Sequence, residues 1–383
     1  SGYSNEVSIT PSSYYGPVWY VATTGSDADN EGSSGYPFVT IQHSIDAASN
    51  GDTVLVAVGT YLENITWPAT NGITLIGSGE ENCIIDGNQQ ASVIRFEEDL
   101  GGIIDTTTII TGFTIQNGNA QGTSQNSYGG GIYCDNSSPS LSNVTISGNS
   151  ASVIGGGIIC INNANPSLSE VTISGNSAID DGGGISCYDS SPSLINVMIS
   201  NNSTLQDGGG INCSFSSPSL ENVTISGNTA SDEGGGIYCY GSNPSLVNVT
   251  ISNNSSVSGG GISLEWLNCN LSLKNSIIWN NFPEEIYVDQ SENMPYNTLT
   301  FSYTNLRRGE NGIVGNNTDI FWQDGNISQD PLFCDYENND FTLGQDSPCY
   351  QTGEDGINMG AEEGYGCDSG QLSLHSGPVW HVA

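Results

Sequence analysis

The sequence predicts an all-β chain: a parallel β-helix solenoid with three short strands per coil of about 26 residues, a short N-terminal capping helix and an irregular C-terminal cap. Three observations predict it. The phrase GGGIYCDNSSPSLSNVTISGN begins at Gly129, near-copies begin at Gly155, Gly182, Gly208 and Gly234, and a worn copy begins at Gly259. Within each copy the apolar residues alternate. Ile132 and Cys134 share one side of a strand with Tyr133 opposite, and Val144 and Ile146 share one side of another with Thr145 opposite. The repeat contains no helical stretch, so a helix-containing solenoid is excluded.

Taken in order, residues 1–37 read as an N-terminal strand and acidic loop. Coils with their N-terminal cap occupy 38–285, and FVTIQHSIDAAS (Phe38–Ser49) has apolar spacing suited to one short capping helix. Worn coils run through DTVLVAVGTYLEN, GITLIGSG and GFTIQNGN, and resume downstream in LSLKNSIIWNN, which aligns Leu273 with Leu141 and Asn281 with Asn149. In each full copy GIYC, PSLSN and VTISGN read as strands, with turns at the glycines, SSP and GN. Inward ladders follow: Ile132 with Ile158, Ile185, Ile211 and Ile237; the cysteines from Cys134 to Cys239; the leucines from Leu141 to Leu246; and Ile146 with its repeats to Ile251. One coil cannot bury its apolar face alone, so its neighbours do. Asn149, Asn176, Asn202, Asn228 and Asn254 form a column whose amides are expected to bond coil to coil. Residues 286–370 read as C-terminal coils and cap, and 371–383 as a tail.

Charged residues are only 12% of the chain, yet 41 acidic residues face 4 basic ones, for a formal charge of −37. Such a surface repels nucleic acid, anionic lipid and polyuronates, and favours cations and neutral partners such as uncharged glycans. No run of 18 apolar residues exists, so no membrane-spanning segment is expected. The sequence starts at Ser1, which suits a secreted chain freed of its signal peptide, or a trimmed piece of a longer one. Asn64, Asn143, Asn222, Asn248, Asn270 and Asn326 stand in glycosylation sequons, weak support for an extracellular or cell-surface location in a chain so rich in Asn and Ser.

The segment WYVATTGSDADNEGSSGYPFVTIQHSIDAASNGDTVLVAVGTYLENI, the GGGI…SPSL…NVTISGN coils and the DPLF…SPC…MGA ending together resemble secreted bacterial right-handed parallel β-helix repeat proteins of the pectin-lyase-like superfamily. The resemblance spans nearly the whole chain and implies a right-handed helix. It implies little about function, because that superfamily includes polysaccharide lyases, glycoside hydrolases, adhesins and structural shells. A lyase would need a strong base and cations around a polyuronate. The chain offers Arg95, Lys274, Arg307 and Arg308, scattered, and its histidines, His43, His375 and His381, lie outside the coils.

Two acidic groups are candidate cation sites. Asp27, Asp29 and Glu31 in DADNEG imitate the first half of a calcium-binding loop, although its twelfth position is Phe38. Asp181, Asp207 and Glu233 precede the glycine triplet in successive coils, and there either water screens them or a cation bridges them. The cysteine column lacks zinc-ligand spacing and reads as buried small hydrophobes. Cys334, Cys349 and Cys367 are disulfide candidates with three single pairings open. Thr145/Ser147, Thr172/Ser174, Thr224/Ser226 and Thr250/Ser252 would form two outward hydroxyl rows. Regular arrays of that kind resemble ice-binding surfaces, but a solvated strand face is the simpler reading.

GPVWYVA begins at Gly16 and GPVWHVA at Gly377. Six of the seven residues match. Either the chain is one unit of a tandem array, or its last strand docks on a neighbouring copy through Gly16, Pro17, Val18 and Trp19 on one side and Gly377, Pro378, Val379 and Trp380 on the other. The expected function is that of a non-enzymatic extracellular structural protein: a filament or sheath subunit, or an adhesin stalk, with self-association expected and neutral glycans as partners of exposed Tyr133 and Tyr238. The alternative is a polysaccharide lyase or hydrolase with a site near Arg95 or Lys274. No cofactor is expected, calcium apart.

Overall fold

The computed structural model describes residues 17–97, 103–265, 269–289, 297–315, 318–361 and 365–367. Its strands stack in parallel, coil upon coil. Among the described residues, sixteen strands form one long sheet, ten form a second, and five two-residue strands form a third at a corner. In a typical coil Ile132–Asp135 belongs to the second sheet, Ser140–Ser147 to the long sheet and Ser150–Ala151 to the corner. Register follows the sequence period: Ile132 pairs with Ile158, Cys134 with Cys160 and Leu141 with Leu168. Among the described residues, no helix is long and apolar enough to cross a membrane.

The strand expectation needs one correction. PSLSN and VTISGN are not separate strands with a turn between them. They form one eight-residue strand bent at Asn143, whose φ is 50°, and the same bend recurs at Glu170, Asn196, Asn222 and Asn248. A left-handed residue resets the alternation, so Leu141 and Val144, three apart, both point into the core. The third strand of the coil is the two-residue segment beyond the Gly148–Asn149 turn.

The Ile, Cys, Leu and Val ladders form one continuous buried core. The glycine triplet is explained by close approach. Gly129 has a φ of 67°, and a Cβ on Gly130 would lie 2.4 Å from the Ser150 carbonyl oxygen and 2.5 Å from that of Gly156. The asparagine column is a hydrogen-bonded ladder. Asn149 Nδ2 donates to Asn176 Oδ1 at 3.0 Å, and the pattern repeats through Asn202, Asn228 and Asn254 to Asn281. Both ends are closed. The Gly118 amide donates to Asn149 Oδ1 at 2.8 Å, and Asn281 Nδ2 donates to the buried Glu285 carboxylate at 2.7 Å.

At the N-terminal end, β1 (Val18–Val21) precedes α1 (Ile41–Ala47), which lies within the predicted capping segment, and β1 pairs with β2 (Thr53–Val56). At the other end the cap leaves the period. Phe333–Asp335, Asp340–Gly344 and Tyr365–Cys367 make a small sheet closed by a Cys334–Cys367 disulfide, which decides among the three pairings and leaves Cys349 a buried thiol. The cap folds back onto the long sheet. Ile277, Phe333, Phe341, Leu343, Cys349 and Met359 form a second core there, and the Ala361 amide donates to Thr250 Oγ1 at 3.0 Å.

That fold-back corrects the reading of the hydroxyl rows. Thr224, Ser226, Thr250 and Ser252 are buried, while Thr145 donates to Glu80 at 2.8 Å. No flat open array remains. Tyr133 and Tyr238 face outward from their strand but are also buried, so neither is an exposed glycan platform.

Candidate functional site

The outer face of the second sheet carries the row Arg95, Tyr133, Ile159, Ser186, Asn212, Tyr238, Ser263 and Tyr287, one residue per coil. The glycine-triplet turn places Asp181, Asp207 and Glu233 beside this row. They form a column, as expected, and one oxygen of each accepts a hydrogen bond from the protein. The Asp207 amide donates to Asp181 Oδ1 at 3.4 Å and the Glu233 amide to Asp207 Oδ1 at 3.0 Å. Ser263 donates to Glu233 at 2.6 Å. Burial raises the pKa of all three carboxyls, and for Asp207, with Asp181, Asp232 and Glu233 adding repulsion, it is pushed up to about 7. Tyr238 donates to Glu265, and its own pKa is raised by burial and by that carboxylate. The patch therefore holds three carboxyls raised above the usual carboxylate range, Asp207 to about 7, beside a phenol and a serine. Sequence reasoning missed Glu265 and Asp289. Both stand one place past the Cys position of GIYC, Glu265 in the worn copy that begins at Gly259 and Asp289 one coil further on.

The other candidate groups are satisfied locally. Asp27 Oδ1 accepts from the Val39 and Thr40 amides at 2.8 and 3.2 Å, and its Oδ2 from the Thr40 hydroxyl at 2.7 Å. Burial alone would raise its pKa; these bonds outweigh it and lower it. Glu63, two strands away, accepts from the Ile41 and Gln42 amides at 2.8 and 2.9 Å. Together the two carboxylates hold the start of α1. Asp29 bonds Ser26 and Glu31 bonds Ser33, so the DADNEG carboxylates do not converge. Among the described residues, no three His, Cys, Asp or Glu side chains are placed to hold a metal ion.

Three of the four basic residues meet carboxylates. Arg95, largely buried, pairs with Glu97 at 2.7 Å and lies 3.9 Å over the Tyr133 ring, and Tyr133 donates to Asp135 at 2.9 Å. Lys274 pairs with Glu354, and Arg307 lies 3.7 Å from Glu285. Of the sequons, Asn64, Asn143 and Asn270 are exposed, whereas Asn222 and Asn248 bond each other at 2.9 Å and Asn326 accepts from the Thr304 amide at 2.9 Å. Trp19 is buried, donates to Asp52 at 3.0 Å and stacks on Phe38. Gly16 and the second motif, Gly377, Pro378, Val379 and Trp380, lie outside the described residues.

The solved structure of pectate lyase Pel9A superposes with a TM-score of 0.51 at 14% identity, covering 90% of this chain and 96% of that one. A pectin methylesterase from carrot follows with a TM-score of 0.40 at 13% identity, over 86% of this chain and 93% of that one. A protein of Bacillus subtilis, the uncharacterized protein YwoF, is 38% identical over 106 residues. That match spans 26% of this chain and only 22% of the relative's length. Residues 219–334 match the right-handed β-helix region family, so the hand implied by the sequence resemblance holds, as does the pectin-lyase-like fold. Residues 23–220, just over half of the chain, match a family described as a protein of unknown function, and the chain belongs to that family, DUF1565.

Proposed function

We propose that the chain is a non-enzymatic extracellular structural protein, a rigid rod unit that repeats in tandem at the cell surface. The observation that carries this reading is the pairing of β1, which is built from the first GPVW motif. One edge pairs with β2, and on the other Tyr20 donates to the Gly32 carbonyl at 2.8 Å and accepts from the Phe38 amide at 2.9 Å. A strand donated by another copy has no vacant place beside it. A second GPVW segment is better suited to opening a solenoid of its own than to invading this one. The salt-bridged state of Arg95 and Lys274 weighs against the lyase alternative, which rests on a likeness of fold. The test is electron microscopy of the native chain beside the same chain lacking Gly377–Ala383. The tandem reading expects single short rods in both. Filaments that vanish on truncation would overturn it in favour of strand donation.

A further inference from the structure

Three aromatic rings stack along the rim of the second sheet's outer face, one per coil. Tyr188 and Tyr240 end the strands Ile185–Tyr188 and Ile237–Tyr240, and Phe215 directly follows the strand between them, Ile211–Ser214. The rings meet edge to face, with centroids 5.9 and 5.2 Å apart. After that packing Tyr188 is still 48% exposed and Phe215 44%. Phe215 also has a φ of 51°, a left-handed backbone that strains a bulky side chain. The same turn position holds Asn136, Asn162, Asp189 and Gly241 in neighbouring coils, residues that tolerate it. A strained residue that also leaves an apolar ring in water marks a functional surface. The column continues past Tyr240 with two carboxylates, Glu265 and Asp289, and the exposed Asp189 follows Tyr188.

The molecule itself shows what such a face takes. On the same sheet Arg95 lies 3.9 Å over the Tyr133 ring and pairs with Glu97 at 2.7 Å, one guanidinium held by a ring and a carboxylate. From residue 96 to residue 273 the sequence contains no Lys or Arg, so the coils that carry Tyr188, Phe215 and Tyr240 supply no cation of their own. We propose that this stretch docks an arginine-bearing segment of another polypeptide, whose guanidinium groups lie on the rings and reach Asp189, Glu265 and Asp289. Arginine fits better than lysine because its planar group both stacks on a ring and forks onto a carboxylate. A chain of charge −37 attracts a cationic partner and repels a second copy of itself. From Tyr188 to Asp289 is a run of coil steps amounting to about 19 Å, the length of about six extended residues. The inference stands whether or not the units join in tandem.

The test is calorimetric titration of the full chain, in about 0.15 M salt, with a hexapeptide of alternating arginine and glycine and with its lysine and glutamate counterparts. The arginine peptide should bind more tightly than the lysine one, and the glutamate one should not bind. Phe215→Asn, which suits the left-handed backbone and changes no charge, should weaken binding of the arginine peptide roughly tenfold. Tyr188→Ala should weaken it too, and so should Glu265→Gln, which leaves the aromatic stack in place, with all three variants folded by circular dichroism. Equal binding by the unaltered chain and the two aromatic variants would reduce the attraction to bulk charge and overturn the proposal. So would failure of the arginine peptide to bind, or lysine or glutamate peptides that bind as tightly.

Discussion

Asp207 makes the stability of the chain depend on pH. Its carboxyl is raised to about 7 in the folded chain, against about 3.9 when unfolded. Between those values the unfolded state holds fewer protons, so stability falls as pH rises through that window and is fully present only below it. Asp181, Glu233 and Glu63 are raised and act in the same sense, whereas Asp27 and Asp86 are lowered and lose their contribution only as pH drops below about 4. Calorimetry should therefore find a higher Tm near pH 5 than near pH 8. Asp207→Asn should narrow that difference; an unchanged slope would remove the column from the explanation. In the core, Asn228→Ala would strip the Asn202 amide and side chain of their acceptor, at a cost of about 2–5 kcal/mol by denaturant titration. The ladder thiols from Cys134 to Cys239 are fully enclosed, and burial is among the causes that raise Cys160, Cys187 and Cys239 well above the ordinary thiol value. They should resist alkylation until the chain unfolds.

At the scale of elements, α1 is a seven-residue helix too short to persist alone, held at its start by carboxylates from outside it. Asp27→Ala or Glu63→Ala should each cost about 1–2 kcal/mol. The C-terminal cap is fastened by a disulfide closing 33 residues, and its reduction should cost about 3–4 kcal/mol in the cap's unfolding step. These elements also show where the sequence was legible. The inward ladders and the asparagine column could be read because each coil repeats its environment, so one periodic letter states one contact. The burial of Thr250 could not, because its partner Ala361 lies 111 residues away in a segment without the period. Tyr133 was rightly placed on the outer face. Facing outward did not mean exposure, since Arg95 and the Gln125 turn cover it. The bend at Asn143 escaped because Glu170 adopts the same left-handed backbone, so the position carries no constant residue type.

For the whole molecule, a charge of −37 on a slender solenoid means that self-repulsion opposes the folded state. Raising ionic strength from about 0.01 M to about 1 M shortens the screening length from about 30 Å to about 3 Å, and Tm at neutral pH should rise with it. A flat salt response would show that the charges are too dispersed to matter. The two closures of the asparagine ladder have a different kind of consequence. Gly118 seals one end and Glu285 the other, and every repeat between them meets the same neighbour above and below. Whole periods of 26 residues can then be inserted or deleted without rebuilding either terminus. The molecule is in effect a ruler: its reach is set by counting copies, in increments of about 4.8 Å, while the parts that face the outside world at each end stay the same.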